Sequence, residues 1–413
     1  MKVLFTFGGL PHYYNNVLNR LNQIEDLEVI VVIPKIKGET IGFGVHQKRE
    51  GIEFTVIELE EYKTFYGKPF FKNFKQTLDE LQPDIVVTIW PYVLGFLFYP
   101  SLLFMAESGK IKLIQKEIPF GVPKLKEAYK FYNSKGVVTE DLDFTASKNK
   151  FVNFAKVGAL SLTRLLYYNL CKAHVNYLED AFEILGSYGV NRKKIFITYN
   201  SPDTDILLKA FKEAKSEELI LPENKYRLIH VGRLVKWKKV DLLIEAVAHL
   251  KSKYPDIELV VIGNGPQLED LKIQTKNLEL DDRVLFVGGV YDPVLLGKYF
   301  VASSVYVLAG MGGLSINEAM CFNKPVVCSV CDGTEKKLVR ENYNGKYFKE
   351  SNLEDLIQKL DYLLDNPEII KQLGFNSGQI IKNEVNIHTV INGYVNAFNY
   401  VMNENHKIVY KAL

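Results

Sequence analysis

Two rhythms alternate along the 413 residues: short, unbroken β-branched runs, and longer stretches where apolar residues return every three or four positions. In the first half the runs VLFTF (Val3–Phe7), EVIVVI (Glu28–Ile33), DIVVTIW (Asp84–Trp90) and KLIQKEI (Lys112–Ile118) predict strands, joined by HVNYL (His174–Leu178) and KIFITY (Lys194–Tyr199). A polar stretch, Lys212–Lys225, precedes a second series. Its predicted strands are Arg227–Gly232, Ile257–Gly263, Arg283–Gly288, Val305–Ala309 and Lys324–Val330, and helices fall between them at Val240–Tyr254, Pro266–Leu278 and Pro293–Ser303. Strands apolar on both faces, separated by amphipathic helices, are the pattern of parallel sheets covered on both sides.

A chain of this length exceeds one ordinary core. The expected fold class is therefore α/β, with two Rossmann-like doubly wound domains facing a central cleft, 1–202 and 203–385. The aromatic-rich segment 386–413 is expected to be a helix packing back on the first domain. Ligands in such sheets bind at the C-terminal strand ends, which directs attention to the loops there.

Four of those loops in the second half belong together. Arg233 and Lys238 follow the first strand, Gly263-Asn264-Gly265-Pro266 the second and Gly288-Gly289 the third; the fourth is followed by Gly310-Met311-Gly312-Gly313 and a short helix carrying Glu318. Glycines at 312 and 313 let backbone approach a ligand closely, and the first turn of the helix, with Leu314 and Ser315, offers N–H groups to an anion. Arg233 supplies a donor fork and Lys238 a point charge. Glu318, one turn further, can accept from a ribose diol while a diphosphate takes the amides before it.

These segments, in this order, resemble the nucleotide-sugar-binding domain of the GT-B glycosyltransferases of family 4. The matching stretches are Gly232-Arg233-Leu234 with Lys238, the Gly263–Pro266 loop, Val284-Leu285-Phe286-Val287-Gly288, and Gly313-Leu314-Ser315-Ile316-Asn317-Glu318-Ala319-Met320 followed by Pro325-Val326-Val327. The resemblance implies that Arg233 and Lys238 bind the donor diphosphate, that Glu318 binds the ribose, and that the Gly313–Leu314 amides hold a phosphate. It implies transfer with retention of configuration and without a metal. Gly263, Asn264, Gly265, Val287, Gly288, Gly310, Gly312, Gly313, Leu314 and Ser315 complete the expected donor site, with Gly8 and Gly9 in the turn after the first strand. The family usually carries a glutamate eight positions before Glu318; this chain has Gly310.

On the acceptor side His12, after the first strand, and Glu117, at the end of the fourth, are the candidate acid or base residues. A structural role is the competing reading of each. Asp141-Leu142-Asp143 and Asp203-Thr204-Asp205 mimic metal-binding pairs, but two cations already answer the diphosphate, so no metal and no cofactor is expected. Cys328 and Cys331 lack a second pair or a nearby histidine and read as ordinary thiols.

A formal charge of +2 and the absence of any nucleic-acid motif exclude a nucleic-acid partner. The run Trp90–Ala106 is broken by Pro91 and Pro100 and falls short of the about 20 residues a bilayer span needs, so it reads as a buried helix. With no secretory core at the start, the expected location is cytoplasmic. Lysines interleaved with aromatics over Lys63–Lys75, and a lysine-rich stretch from Lys110 to Lys135, suggest a peripheral contact with the inner face of the cell membrane.

The expected activity is transfer of a hexosyl group from a nucleotide-diphosphate sugar to a glycan or lipid-linked acceptor in cell-surface polysaccharide or glycoconjugate synthesis. Two alternatives stay open: a nucleotide-sugar epimerase of the same shape, and a non-catalytic partner subunit that binds the nucleotide sugar.

Overall fold

The structure is a computed structural model. It describes the whole chain apart from residues 36–39, 42–44, 47–48, 119–120, 134–149, 330–334, 403–406 and 411–413. Asp141, Asp143 and Cys331, singled out in the sequence, lie outside the described residues. The chain divides into two compact units: Met1–Tyr199 together with His388–Leu413, and Asn200–Ile387.

The first unit is built on seven parallel strands: β1 (Lys2–Thr6), β2 (Glu28–Pro34), β3 (Thr55–Leu59), β4 (Ile85–Thr88), β5 (Lys112–Glu117), β6 (Ala173–Asn176) and β7 (Ile195–Ile197). Their order across the sheet, β7-β6-β5-β4-β1-β2-β3, reverses between β4 and β1. That is a topological switch point, and the Gly8–His12 turn leaves β1 there. Val3, Leu4, Phe5 and Val29 to Ile33 are fully enclosed, which accounts for their unbroken apolar runs.

The helix Ile387–Met402 lies on this sheet. Phe5 meets the rings of Tyr394 and Phe398 edge-on at 5.9 and 6.4 Å, and the Tyr14 and Tyr394 hydroxyls are hydrogen-bonded. Gly393 lets the helix sit flush, since a Cβ there would fall 2.7 Å from the Ile197 carbonyl oxygen.

Several elements differ from the sequence expectation. The Trp90–Ala106 run forms two short helices, Val93–Phe98 and Pro100–Glu107, because proline opens the second. Strand β3 escaped detection because it lies half-exposed at the sheet edge, its short run interrupted by Glu58. The helix Lys150–Leu170 went unread because its apolar residues do not face the core. The Lys63–Lys75 stretch is also corrected. Phe70, Phe71 and Phe74 are core residues, with Phe71 stacked on Tyr92 at 4.4 Å, and Lys72 and Lys75 pair with Glu60 and Asp79. Those aromatics are not available to a membrane.

The second unit holds six parallel strands: β8 (Arg227–Val231), β9 (Glu258–Ile262), β10 (Val284–Gly288), β11 (Val305–Leu308), β12 (Val326–Ser329) and β13 (Gly345–Phe348). The order β10-β9-β8-β11-β12-β13 again reverses once, between β8 and β11. The two loops that leave this switch point are the ones carrying Lys238 and Gly310–Gly313. Packing of the helix Val240–Leu250 against β8 and β9 through Leu243, Ile244 and Val247 fixes the first of them.

Removing one anchor of the returning helix tests its contribution. Phe398→Ala is expected to destabilise the first unit by about 3–5 kcal/mol, the range for a truncated core aromatic, read from denaturant unfolding followed by an N-terminal-unit probe such as Trp90 fluorescence.

Candidate functional site: a glycine-lined strand edge

The four loops of the second unit meet backbone to backbone. The Leu234 N–H donates to the Asn264 carbonyl at 2.9 Å, the Gly263 N–H to the Gly288 carbonyl at 2.8 Å, and the Met311 N–H to the Trp237 carbonyl at 2.9 Å. Such proximity leaves no room for side chains. A Cβ on Gly263, whose φ is 144°, would lie 1.8 Å from the Gly232 oxygen, and one on Gly265 would lie 2.3 Å from the Leu234 oxygen. The Asn264 amide, oriented to satisfy both its ends, accepts from the Gly289 N–H at 3.2 Å and ties in the loop after Val287 and Gly288.

Gly310 obeys the same constraint. A Cβ there would fall 2.0 Å from the Trp237 oxygen. The glutamate that the family usually has at this position is absent, and the Trp237–Lys238 backbone occupies the space its side chain would need.

Lys238 holds the loop beyond. It ends a 3-10 turn, Lys236–Lys238, closed by left-handed Lys239, and is itself buried. Its ammonium donates to the carbonyls of Met311 at 2.8 Å and Gly312 at 2.6 Å. The Arg233 guanidinium lies over the Trp237 ring at 5.9 Å. The same short segment therefore sets both cations at the switch point.

The helix Ser315–Cys321 starts there, with Leu314 at its cap and the Glu318 N–H closing its first turn onto the Leu314 carbonyl at 3.1 Å. The Ser315 hydroxyl accepts from Tyr306 at 2.7 Å, which fixes the first turn to β11. Glu318 is half-buried, and no donor among the described residues is paired with its carboxylate. Desolvation pushes its pKa up from the ordinary carboxylate range to about 7.

One contributor went unnoticed in the sequence. His230, the penultimate residue of β8, is fully enclosed beneath the Gly232 turn, and its Nδ1 meets the Val307 carbonyl at 3.0 Å. Burial lowers its pKa to about 4, so it stays neutral while bridging the two strands that flank the switch point. A histidine next to the end of the strand, two residues before the Gly232-Arg233 pair, was the available signal.

In the first unit Gly8 is exposed and Gly9 buried in the turn after β1, with His12 half-buried and edge-on to Tyr13 at 5.5 Å. Glu117 ends β5 half-buried, hydrogen-bonded by Tyr168 and at 3.5 Å by Tyr167. Desolvation raises its pKa, opposed by the charge of Arg164. Of the two readings of Glu117, the geometry favours the structural one, since its carboxylate binds a helix of its own unit. Asp203 accepts from the N–H groups of Asp205 and Ile206 at 3.2 and 3.4 Å, capping the helix Thr204–Ser216; its resemblance to a metal pair is the signature of an N-cap. A groove of about 470 Å³ beside Glu245, His249 and Gln274 contains none of the loop residues described above.

Residues 211–379 match the family model described as glycosyl transferases group 1. That match lies within the second unit, so this part of the chain is similar to the group 1 glycosyl transferases. The chain is 27% identical over 409 residues to an uncharacterized glycosyltransferase of Methanocaldococcus jannaschii, covering 96% of each chain. It is 27% identical over 222 residues to the Campylobacter jejuni N-acetylgalactosamine-N,N'-diacetylbacillosaminyl-diphospho-undecaprenol 4-alpha-N-acetylgalactosaminyltransferase, a match over 53% of this chain and 58% of that relative. Its fold is similar to that of Anabaena HepE, solved in complex with UDP, with a TM-score of 0.65 at 14% identity over 97% of this chain and 100% of the other. The architecture is GT-B.

The contact at Gly310 gives a test. Gly310→Glu restores the usual family residue, yet is expected to lower the melting temperature of the second unit and abolish nucleotide-dependent stabilisation, both read by thermal shift, because the Trp237–Lys238 backbone must move.

Proposed function

We propose that this glycosyltransferase transfers a sugar from a nucleoside-diphosphate donor to a glycan or lipid-linked acceptor, with retention of configuration and without a metal. The observation that carries the donor half is the Glu318 carboxylate, half-buried and unpaired among the described residues, beside a glycine turn that Lys238 fixes. A desolvated carboxylate without a partner costs stability unless a ligand supplies donors. A ribose diol does so, and the adjoining diphosphate then falls on the Gly313–Leu314 amides between Arg233 and Lys238.

Bond breaking between the anomeric carbon and the diphosphate oxygen leaves charge on the diphosphate. Fixed cations and amides answer it without reorganising. The acceptor hydroxyl bonds to the anomeric carbon on the face being vacated, and its proton passes to the departing phosphate oxygen. HepE was solved with UDP, which supports a uridine nucleotide as the first donor to try. The Campylobacter relative's name describes a diphospho-undecaprenol acceptor, which supports a lipid-linked one.

UDP is expected to raise the melting temperature in the presence of a chelator, by mass action on the folded state. A shift that needs added Mg²⁺ or Mn²⁺ would contradict metal independence. Binding without release of UDP from any of a panel of UDP- and GDP-sugars would favour the partner-subunit alternative.

Glu318→Gln is expected to weaken UDP binding by about 1.5–3 kcal/mol, roughly tenfold or more, measured by calorimetry. The sign for stability is opposite. Between pH 4.5 and about 7 the folded chain keeps a proton on Glu318 that the unfolded chain releases, so stability falls as pH rises through that window. The neutral glutamine escapes this loss, so the variant is expected to melt above the wild type at pH 8 and to converge with it near pH 4.5. A variant that melts earlier at pH 8 would make Glu318 structural.

A further inference from the structure

The helix Lys150–Leu170 of the first unit is turned inside out. Its buried face carries Asn153, Ser161, Arg164, Tyr167 and Tyr168, with Val157 as the one aliphatic residue among them. Arg164 donates to the Tyr132 hydroxyl and lies over that ring at 5.5 Å, while Tyr168 donates to Glu117 at the end of β5. The outer face is apolar: Phe151 is 78% exposed, Phe154 65%, Leu162 57% and Leu166 46%. These residues, spaced three, eight and four apart with Gly158 in the longer gap, lie on one side of the helix and form a stripe about 22 Å long. Water is a poor neighbour for such a stripe, and contiguous apolar surface of this kind marks a contact.

We propose that this face docks on an anionic lipid surface. Charge chooses the occupant. The helix contains no aspartate or glutamate in its 21 residues, and it exposes Lys150 and Lys156 beside the stripe. The short helices packed alongside, tied by the Asn153–Asn133 hydrogen bond at 3.0 Å and by Tyr129 against Phe154 at 5.9 Å, add exposed Lys126 and Lys130 against the single acid Glu127. Phenylalanines and leucines rimmed by lysines suit the boundary between acyl chains and anionic headgroups. A second copy of this chain would set these lysines against their like. No described helix is long and apolar enough to cross a membrane, so the contact lies on the surface of the bilayer.

The inner face gives the docking a purpose. Tyr167 and Tyr168 join the helix to Glu117, on the strand-end edge of the first sheet where an acceptor is expected. A lipid-linked acceptor would then enter from the surface the same helix rests on. This purpose rests on the acceptor half of the proposed function; the docking itself does not, and it has its own readout.

Co-sedimentation of the full chain with phosphatidylcholine vesicles, with and without phosphatidylglycerol, tests it. Binding is expected only with the anionic lipid and is expected to weaken at high salt. Leu162→Glu with Leu166→Glu is expected to reduce it roughly tenfold or more, while the melting temperature and its rise with UDP stay unchanged. Phe154→Trp is expected to shift its emission to the blue on binding. Equal recovery in the supernatant with both vesicle types would overturn the proposal, as would unchanged binding by the double variant. A dimer in sedimentation velocity that the double variant dissolves would assign the face to a second copy instead. Loss of vesicle binding with the UDP response intact concerns this surface alone; loss of the UDP response in the wild type concerns the donor reading alone.

Discussion

Backbone-to-backbone contact between the strand-end loops is the constraint on which the candidate donor site depends. Gly263 against Gly232, Gly265 against Leu234 and Gly310 against Trp237 approach so closely that a single methyl group would collide with a carbonyl. Hydrogen bonds across these contacts make the four loops one rigid edge rather than four independent turns. Only then can Lys238, anchored on two carbonyls of the last loop, act as a fixed charge. Catalysis of diphosphate departure is a matter of charges that are already in place, so rigidity here serves the proposed chemistry directly.

The same edge carries a cost. Glu318 is half-buried with no donor among the described residues, and its raised pKa expresses the price of that placement. His230 is enclosed too, but the Val307 carbonyl satisfies one of its nitrogens and burial keeps it neutral. The contrast separates their roles. His230 belongs to the frame that joins β8 to β11, and Glu318 is a group whose missing partner a ligand can supply. Burial alone would not distinguish them; hydrogen bonding does.

In the first unit the polar interior of the Lys150–Leu170 helix reverses the usual arrangement. Arg164, Tyr132, Tyr167, Tyr168 and Glu117 form a buried polar cluster in place of an aliphatic seam. Such a cluster fixes the helix by directional bonds. Its apolar residues are thereby released to the outside, where a lipid surface would cover them. The basic and aromatic stretch around Lys63–Lys75 made a different choice: Phe70, Phe71 and Phe74 went into the core, and Lys72 and Lys75 were paired with acids.

The sequence by itself determined the two parallel sheets, because strands covered on both faces must be apolar throughout and glycines must stand where loops touch. It also pointed to the candidate donor-edge residues from Gly232 to Glu318, since the spacing of glycine turn, cation and carboxylate is local to single strand–loop–helix units. Periodicity could not say which way an amphipathic helix faces, so the Lys150–Leu170 helix passed unread. Composition could not separate phenylalanines of the core from phenylalanines of a surface. Which side chains meet the Glu117 carboxylate, that Asp203 caps its own helix, and whether residue 310 had room for a side chain were decided by tertiary structure alone. Each of those questions turns on which distant atoms arrive within hydrogen-bonding or van der Waals reach, and a linear pattern does not encode that.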